Sequence, residues 1–534
     1  MNRTKLLRAE TRSDFRLVAP LLLVLAACQG RGTSLIRDQG SAGVETLRAH
    51  MTFLADDLLE GRGTGTRGFE VAAQYVAAQF AAAGLEPAGT DGTYFQPVRF
   101  RRARPIANVS SFVITGRGNT GVLRWGTDFV ARGGSTGETV RIHAPIVFVG
   151  YGISDPKNGH DDYAGDVRGA IVAFLPGVPP SLPSNRKDYY TSVKWSVARQ
   201  HGAVATIELS TPDEDRAWSW GDRMAWVTEW AATWLESGGQ SPADAPLPRI
   251  LLSSAGTSRL LSLASQTSDV LATPRPFRVE TAAVTIGARH DDVTAPHVIG
   301  VLPGSDPQLR SEYVVYVAHL DGEGRAEPVD GDDIYNSAID NGLGSAMLLT
   351  LAQRFSKLSP RPTRSMLFIA TTGEELGISG SPYFVAHPTV PLASIVAVIN
   401  IDGPSQLTDP VEVVLAMGAA NSTLGIAVGA AAAQLGITVN PSFAPLNFSD
   451  HYPFVMKGIP ALWIVQDDGG QPSEAARAAK LRIHTPRDDM RRSFRWETGA
   501  TLTQLNFLIG QMVAVQTERP RWNPGDILGE AFAR

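Results

Sequence analysis

The side chains that could carry out chemistry in this chain are histidines and carboxylates in its second half. Most of them follow a short apolar run, and the set comprises His319, Asp340, Glu374, Glu375, Asp402 and His484. Imidazole and carboxylate ligands without a thiolate suit zinc. Because a single catalytic zinc takes three protein ligands, five ligands from this set indicate two zinc ions, and an aspartate between the ions can bridge them.

The adjacent pair Glu374 and Glu375 is ambiguous by itself. Two neighbouring carboxylates after the apolar run 366–370 repel each other, but carboxylates are also favoured at the start of a helix. A single histidine at a strand end or a single aspartate at a helix start usually has a structural role. Five such residues at equivalent positions are much harder to explain in that way, so the pattern favours a metal site.

An alternation of strands and helices from residue 296 onward would position these side chains. The predicted strands cover residues 298–304, 312–318, 366–370, 394–401 and 459–465. The pattern predicts an α/β fold with a doubly wound mixed sheet and helices on both faces. Ligands in open α/β sheets bind beyond the carboxyl ends of the strands, so we expect the five metal ligands to gather at one edge of the sheet.

Together, these motifs resemble the bacterial zinc aminopeptidase and glutamate carboxypeptidase family of co-catalytic metallopeptidases. The resemblance covers about residues 45–515 and points to the subgroup with an inserted protease-associated domain. It implies a zinc exopeptidase-like fold, two Zn²⁺ ions per chain and a peptide substrate. It also implies that Asp340 bridges the ions, that His319 and Asp402 complete one site, and that Glu375 and His484 complete the other.

The same resemblance implies roles for further residues. Glu374 would be the general base, which takes a proton from the metal-activated water and passes it to the leaving amine, and Asp321 would orient His319. Ile483 stands where family members often have tyrosine, and His451 lies in a stretch common in the subgroup, so both are candidate substrate contacts. A structural role at a helix start is the alternative for His451.

The motifs lead us to expect an aminopeptidase that removes N-terminal residues from peptides. A carboxypeptidase acting on acidic peptides is the alternative, and it would need arginines for the substrate carboxylate. The candidates near the last ligand are Arg482, Arg487, Arg491 and Arg492. A single-zinc glutaminyl cyclase fits the two-metal set less well. A non-catalytic receptor or scaffold of the same fold would not need to keep Glu374 and all five ligands.

The length and composition indicate a globular protein with more than one domain. The chain has 534 residues, of which 43% are hydrophobic and 19% charged, and its net charge of −5 does not suggest a nucleic-acid partner. We predict that residues 45–100 begin the peptidase domain and that residues 101–290 form the inserted protease-associated domain. Residues 291–515 would then form the catalytic domain and residues 516–534 a C-terminal tail.

The N-terminus has the pattern of an export signal. Basic residues precede the apolar run 17–27, which is too short to span a bilayer, and the run ends before Cys28, the single cysteine. The end of this segment resembles a bacterial lipobox. This implies cleavage before Cys28 and a lipid anchor facing the periplasm or the cell exterior, with an ordinary signal peptide as the alternative. Residues 29–44 are rich in Gly and Ser and predict a linker.

The inserted region has its own recognisable pattern. Tyr151-Gly152 and the later Asp166–Gly169 stretch resemble the two strands of a protease-associated domain, and segment 192–203 resembles its helix. Trp226, Trp230 and Trp234 recur at four-residue spacing, which predicts one face of a helix. That helix would either pack on the β-rich region or form a lid over a peptide-binding cleft.

Overall fold

The computed structural model describes residues 32–533, except 134–138, 229–230, 243–244, 441–446 and 470–471. The predicted signal peptide of residues 1–28, with Cys28, lies outside the described residues, and its export role stays a prediction. Among the helices of the described ranges, none combines the length and the apolar character that crossing a membrane requires.

Strands dominate the first half of the described chain, and helices and strands alternate more regularly from residue 344 onward. The helices are α1 (Gly32–Leu54), α2 (Arg67–Ala82), α3 (Ser184–Gln200), α4 (Pro212–Ala217), α5 (Trp220–Thr228), α6 (Ser254–Leu263), α7 (Asp269–Ala272), α8 (Gly344–Ser356), α9 (Gly380–Ala386), α10 (Leu424–Leu435), α11 (Tyr452–Val455), α12 (Glu474–Lys480), α13 (Trp496–Val515) and α14 (Ile527–Phe532). The strands are β1 (Glu86–Pro87), β2 (Phe95–Gly116), β3 (Asn119–Leu123), β4 (Phe129–Arg132), β5 (Thr139–Phe148), β6 (Ser154–Asp155), β7 (His160–Asp161), β8 (Ile171–Phe174), β9 (Ala205–Glu208), β10 (Ala231–Trp234), β11 (Arg249–Leu252), β12 (Phe277–Leu302), β13 (Tyr313–His319), β14 (Gly324–Val329), β15 (Asp332–Tyr335), β16 (Ser365–Thr371), β17 (Ile395–Asn400), β18 (Val413–Met417), β19 (Thr438–Asn440) and β20 (Ala461–Gln466).

The second half of the chain builds a mixed sheet in the order β19-β18-β20-β17-β13-β16-β12. Strand β13 runs parallel to β16 and β17, and β17 runs parallel to β20. Strands β12 and β18 run antiparallel to their neighbours β16 and β20. The carboxyl ends of β13, β16 and β17 therefore meet at one edge, as the sequence predicts.

Helices cover both faces of this sheet. Val314 and Tyr316 of β13 belong to the hydrophobic core shared with α1, α2, α8 and α13. The alternate residues Val315 and Val317 belong to the opposite core, which includes side chains of α9, α11 and α14. Burial on both faces explains why these strands are apolar at nearly every position, and the doubly wound α/β prediction is confirmed.

Two long antiparallel strands connect this sheet to the β-rich first half. β12 pairs with β5 near its beginning and with β16 near its end, and β2 lies beside it over most of its length. Strands β5, β8, β9 and β11 continue the sheet in parallel pairs. The predicted domain limits at residues 100/101 and 290/291 fall inside β2 and β12, and the protease-associated identity of the insertion stays a prediction.

Two local expectations differ from the structure. The predicted linker of residues 29–44 is helical from Gly32 onward, because Gly and Ser each lower helix stability by only about 1 kcal/mol or less while Leu47 and Met51 anchor the helix in the core. The helix predicted through Trp234 is wrong, because Trp234 ends β10, which pairs with β2. Trp230 lies outside the described residues.

Strand β10 also contacts the loop that carries the glutamate pair. The backbone N–H of Ala232 donates to the carbonyl oxygen of Leu376 at 3.0 Å. The hydroxyl of Ser379 donates to the carbonyl oxygen of Ala232 at 2.7 Å. Strand β10, from the first half of the chain, thus fixes the backbone shortly after Glu374 and Glu375.

Candidate metal centre

Three neighbouring strands place the predicted ligands at the carboxyl edge of the sheet. His319 is the last residue of β13 and is paired in register with Thr371, the last residue of β16. Glu374 and Glu375 follow β16 after a short turn, and Asp402 follows β17. Because these strands are parallel, their carboxyl ends bring the side chains together from sequence positions far apart.

Asp340 stands between the two histidines. The Nε2 atom of His319 lies 3.2 Å from Oδ1 of Asp340 and 3.2 Å from Oδ1 of Asp402. The Nε2 atom of His484 lies 3.2 Å from Oδ2 of Asp340 and 3.6 Å from Oε2 of Glu375. We call His319 with Asp402 the His319 half-site, and His484 with Glu375 the His484 half-site. Each half-site thus faces a different oxygen of Asp340, which is the arrangement of a bridging carboxylate.

The donor set fits divalent cations. Oε1 of Glu375 is buried without a hydrogen-bond partner, and an orphaned buried acceptor of this kind is rare unless an ion or water satisfies it. Burial raises the pKa of Glu375 well above its ordinary value, and the negative charge of Asp340 raises it further. A bound cation would relieve both the desolvation and the repulsion.

The pKa values of Asp340 and His319 are shifted by the groups that they contact. Burial alone would raise the pKa of Asp340, but hydrogen bonds with His319 and His484 lower it below its ordinary value. Burial alone would lower the pKa of His319, but the charges of Asp402 and Glu374 raise it well above its ordinary value. The imidazole of His319 and the carboxylates of Asp340 and Asp402 thus each alter the pKa of a neighbour, as expected for groups in direct contact.

Glu374 lies beside the ligands, at the floor of the open cleft. Burial raises its pKa well above the ordinary value, and the charge of Asp402 adds to this effect. One carboxylate oxygen of Glu374 and one of Glu375 lie with a ring nitrogen of His319 within 4.8 Å of one another. Glu374 is therefore close enough to exchange a proton with a molecule bound between the half-sites.

Asp321 contacts His319, the residue it is predicted to orient, but through its backbone and not through its carboxylate. The Nδ1–H of His319 donates to the backbone carbonyl oxygen of Asp321 at 3.1 Å, so the main chain and not the carboxylate orients this imidazole. The Asp321 carboxylate accepts from the hydroxyl of Thr64 at 2.9 Å and from the backbone N–H of Glu375 at 3.2 Å. Its side chain therefore positions the glutamate loop, a role that depends on tertiary contacts absent from the sequence pattern.

His451 does not reach the cleft. Its side chain is fully buried, and its Nδ1 accepts from the side-chain amide of Asn400 at 3.3 Å. Burial lowers the pKa of His451 to about 3. The predicted substrate contact is thus corrected, and the alternative holds, because His451 directly precedes α11. Ile483, the other predicted contact, lines the cleft beside His484.

Asp488 supports the site and was missed by sequence reasoning. Its buried carboxylate accepts backbone N–H groups from Ile339 at 3.0 Å and from Asp340 at 3.1 Å. Burial raises the pKa of Asp488 to about 6. Since Asp488 follows His484 by four residues, it ties the backbone of the bridging aspartate to the loop of the second histidine. Its closeness to His484 is the only signal for it that the sequence offers.

Arg62 is the second supporting residue that was missed. Its guanidinium is fully buried and donates to the carbonyl oxygens of Leu320 at 2.9 Å, Asn336 at 2.8 Å and Ser337 at 2.9 Å. Burial lowers the pKa of Arg62 to about 10, although the nearby Asp488 carboxylate opposes this shift. Arg62 therefore fixes the loops after His319 and before Asp340.

The site opens into a cleft of about 560 Å³. Its floor carries Asp340, Glu374, Glu375, Asp402 and His484. One wall consists of apolar side chains, namely Leu415, Met417, Phe448, Trp463, Val465 and Ile483. The indole N–H of Trp463 donates to the carbonyl oxygen of Asp402 at 2.7 Å, which joins the apolar wall directly to a predicted metal ligand.

Residues 297–508, which include all the predicted metal ligands, match the family described as "Peptidase family M28". No curated protein matches the chain.

The fold is also similar to solved structures. An aminopeptidase from Aneurinibacillus sp. strain AM-1 is 17% identical with a TM-score of 0.49, and the match covers 90% of this chain and 98% of that chain. BSAP, a zinc aminopeptidase from Bacillus subtilis, is 17% identical with a TM-score of 0.45 and coverages of 89% and 96%. A peptidase M28 precursor from Shewanella amazonensis SB2B is 16% identical with a TM-score of 0.44 and coverages of 92% and 99%.

Proposed function

Because residues 297–508 carry a domain of peptidase family M28, we propose that the protein is a zinc-dependent exopeptidase that releases N-terminal residues from peptides. The observation that carries the proposal is the position of Asp340, which offers one carboxylate oxygen to each of two histidines at 3.2 Å. Two zinc ions would be held by His319 and Asp402 on one side, by His484 and Glu375 on the other, and by Asp340 between them. Peptide is the proposed substrate.

Zinc ions bound there would supply a Lewis acid for the scissile carbonyl group and would lower the pKa of the attacking water. The chain itself supplies the proton transfer. Glu374 lies within reach of both half-sites, and its backbone N–H donates to the Asp321 carboxylate at 3.4 Å, which fixes the start of the side chain. We infer that Glu374 accepts the proton of the attacking water and delivers it to the leaving amine.

The composition of the cleft supports an aminopeptidase over the carboxypeptidase alternative. A carboxypeptidase needs a cation for the substrate carboxylate, and arginine is the usual choice. Among the described residues, the side chains that line the cleft include one lysine, Lys480, which a carboxypeptidase would have to use, and no arginine. Arg487 and Arg491 already pair with Asp330 and Asp332, and they face a separate cavity together with Arg482 and Arg492.

The apolar wall favours peptides with a large apolar N-terminal residue. Met417, Trp463 and Val465 line the cleft directly beside the metal ligands, where the side chain next to the scissile bond would lie. Burial of a side chain such as leucine or phenylalanine is worth about 1.5–3 kcal/mol. We expect leucine and phenylalanine substrates to exceed glycine by about 10- to 100-fold in kcat/KM.

The test compares the wild-type chain with Glu374→Gln and with Glu70→Gln, a control at an exposed position of α2. Zinc content is measured together with hydrolysis of aminoacyl-nitroanilides, N-blocked nitroanilides and peptides whose C-terminal residue can be released. We expect Glu374→Gln to keep its zinc and to lose about 10²- to 10⁴-fold in kcat, while the control keeps full activity.

Three results would count against the proposal. Full activity of Glu374→Gln would refute its role as the base. Equal hydrolysis of free and N-blocked substrates, or release from C-termini, would refute the aminopeptidase assignment. A wild-type chain without metal and without turnover would support the scaffold alternative.

A further inference from the structure

Glu323 is a carboxylate that the sequence motifs do not include but that faces the His484 half-site. Its Oε1 lies 3.8 Å from Nε2 of His484. The same ring nitrogen faces Asp340 at 3.2 Å and Glu375 at 3.6 Å. One ligand atom each from Glu323, Glu375 and His484 lies within 4.8 Å of the others, so these atoms surround a common point.

The backbone around Glu323 is fixed by close contacts. The N–H of Glu323 donates to the hydroxyl of Ser337 at 3.3 Å, and the preceding Gly322 forms a bridge with Gly63. A Cβ atom at Gly322 would lie 2.6 Å from Cβ of Ser337, so only glycine permits this approach. The next residue, Gly324, pairs with Tyr335 at the start of the β14–β15 hairpin. Glu323 is therefore delivered to the half-site by a tightly packed turn.

The direction in which Glu323 faces His484 distinguishes two roles. A residue that merely supports a metal-binding histidine contacts the ring nitrogen that does not bind the metal. Glu323 instead faces Nε2, the nitrogen that also faces Asp340 and Glu375. Its side chain is 30% exposed, which leaves the carboxylate at the mouth of the half-site and not behind the histidine.

We propose that Glu323 is a further protein ligand of the metal in the His484 half-site. This rests on the proposed function in that a metal ion binds there. The His484 half-site would then offer one imidazole and three carboxylates, whereas the His319 half-site offers one imidazole and two carboxylates, with Asp340 counted in both. The additional oxygen donor makes the His484 half-site the tighter one for Zn²⁺ and the more tolerant one for oxygen-preferring ions such as Mn²⁺.

The experiment measures metal binding by the full chain. Wild type, Glu323→Gln and Glu323→Asp are dialysed against graded concentrations of a zinc chelator, and the zinc remaining per chain is measured by mass spectrometry. The control is Glu327→Gln, an exposed glutamate on the same hairpin. We expect Glu323→Gln to lower the affinity for one of two zinc ions by at least about tenfold and to leave the affinity for the other unchanged. The loss of affinity should be smaller in Glu323→Asp, whose side chain is one methylene shorter.

A second readout is the visible spectrum of the Co²⁺-substituted protein. Loss of one oxygen ligand from one site should change the intensity of the d–d bands in Glu323→Gln and leave them unchanged in Glu327→Gln. If Glu323→Gln binds both zinc ions as tightly as wild type, the proposal is wrong. It is also wrong if metal binding is unchanged and only the KM for peptides rises, because Glu323 would then contact the substrate. A wild-type chain that binds no metal would overturn the proposed function and this proposal together.

Discussion

The two half-sites of the metal centre offer the same kinds of ligand but are built in opposite ways. His319 is 1% exposed, ends a central strand and donates through Nδ1 to a backbone carbonyl group. Its partner Asp402 accepts a hydrogen bond from the hydroxyl of Ser449 at 2.5 Å. His484 is 57% exposed and lies on a loop after α12, where its φ of 57° is in the left-handed region.

This difference shows where the fold alone determines the geometry and where it needs support. The His319 half-site is fixed by the sheet, because its residues continue directly from buried parallel strands. The His484 half-site is assembled from loops, and its position depends on individual buried groups such as Asp488. We expect substitutions in the His319 half-site to lower both the free energy of unfolding and the affinity for metal. Substitutions in the His484 half-site should lower mainly the affinity for metal.

The largest effect is expected from Asp340, the residue that the half-sites share. Asp340→Ala should lose both zinc ions and nearly all activity, because each half-site faces one of its oxygens at 3.2 Å. Zinc content and turnover check this expectation, with Asp333→Ala on the nearby hairpin as the control. Retention of two zinc ions per chain would mean that neither half-site needs Asp340, which would contradict its role as the shared ligand.

The next effect separates the half-sites by stability. In the metal-free protein, His319→Ala should lower the free energy of unfolding by about 3 kcal/mol, since it removes a buried imidazole that faces the buried carboxylate of Asp402 at 3.2 Å. His484→Ala should change it by no more than about 0.5 kcal/mol, because the imidazole is largely exposed. Urea denaturation in the presence of a chelator measures both values. Equal losses in the two variants would contradict the distinction.

A smaller effect is expected from the support of the His484 side. Asp488→Asn keeps the shape of the side chain but removes its charge and replaces one of the two oxygens that accept the backbone N–H groups of Ile339 and Asp340 with an N–H₂ group. We expect zinc affinity to fall by about tenfold with little change in overall secondary structure. The matched control is Asp489→Asn, whose carboxylate pairs with Arg491 instead. Unchanged zinc affinity in Asp488→Asn would show that the loop holds Asp340 without this residue.

The last effect is absent at pH 7 and grows only as the pH falls, and it concerns His297 on the sheet side. His297 is buried, accepts the backbone N–H of Thr372 at 3.2 Å, and faces the carbonyl oxygen of Gly380 at 3.1 Å. Burial lowers the pKa of His297 from 6.5 to about 4. The unfolded chain therefore binds a proton below pH 6.5 that the folded chain does not bind. Stability should be lost as the pH falls from 6.5 toward 4.

The slope from this single histidine is about 1.4 kcal/mol per pH unit. Unfolding of His297→Gln by urea at a series of pH values should show a slope smaller by that amount, although its stability at pH 7 is also expected to change. His143→Gln, at an exposed position, should keep the wild-type slope. An unaltered slope in His297→Gln would show that His297 does not cause the pH dependence of stability.

Sequence reasoning succeeded where chemistry follows directly from a buried strand. The apolar runs before His319, Glu375 and Asp402 predicted the strands, and the order of an α/β sheet brought their ends together. It failed where a role depends on backbone contacts between distant loops. Arg62 donates to the carbonyl group of Asn336, 274 residues away, and no local sequence pattern predicts that contact. For the same reason, the sequence did not show that Asp321 contacts His319 through its backbone, or that His451 is buried away from the cleft.

The contact between β10 and the glutamate loop has a consequence for the modularity of the enzyme. The predicted insertion of residues 101–290 contacts this loop directly, because Ala232 is hydrogen-bonded to Leu376 and Ser379, which follow the glutamate pair. A shortened chain that began at residue 291 would sever β12 within its length and would lack Arg62 as well. A shortened protein meant to keep the geometry of residues 291–515 should therefore retain β10 and Arg62 as well.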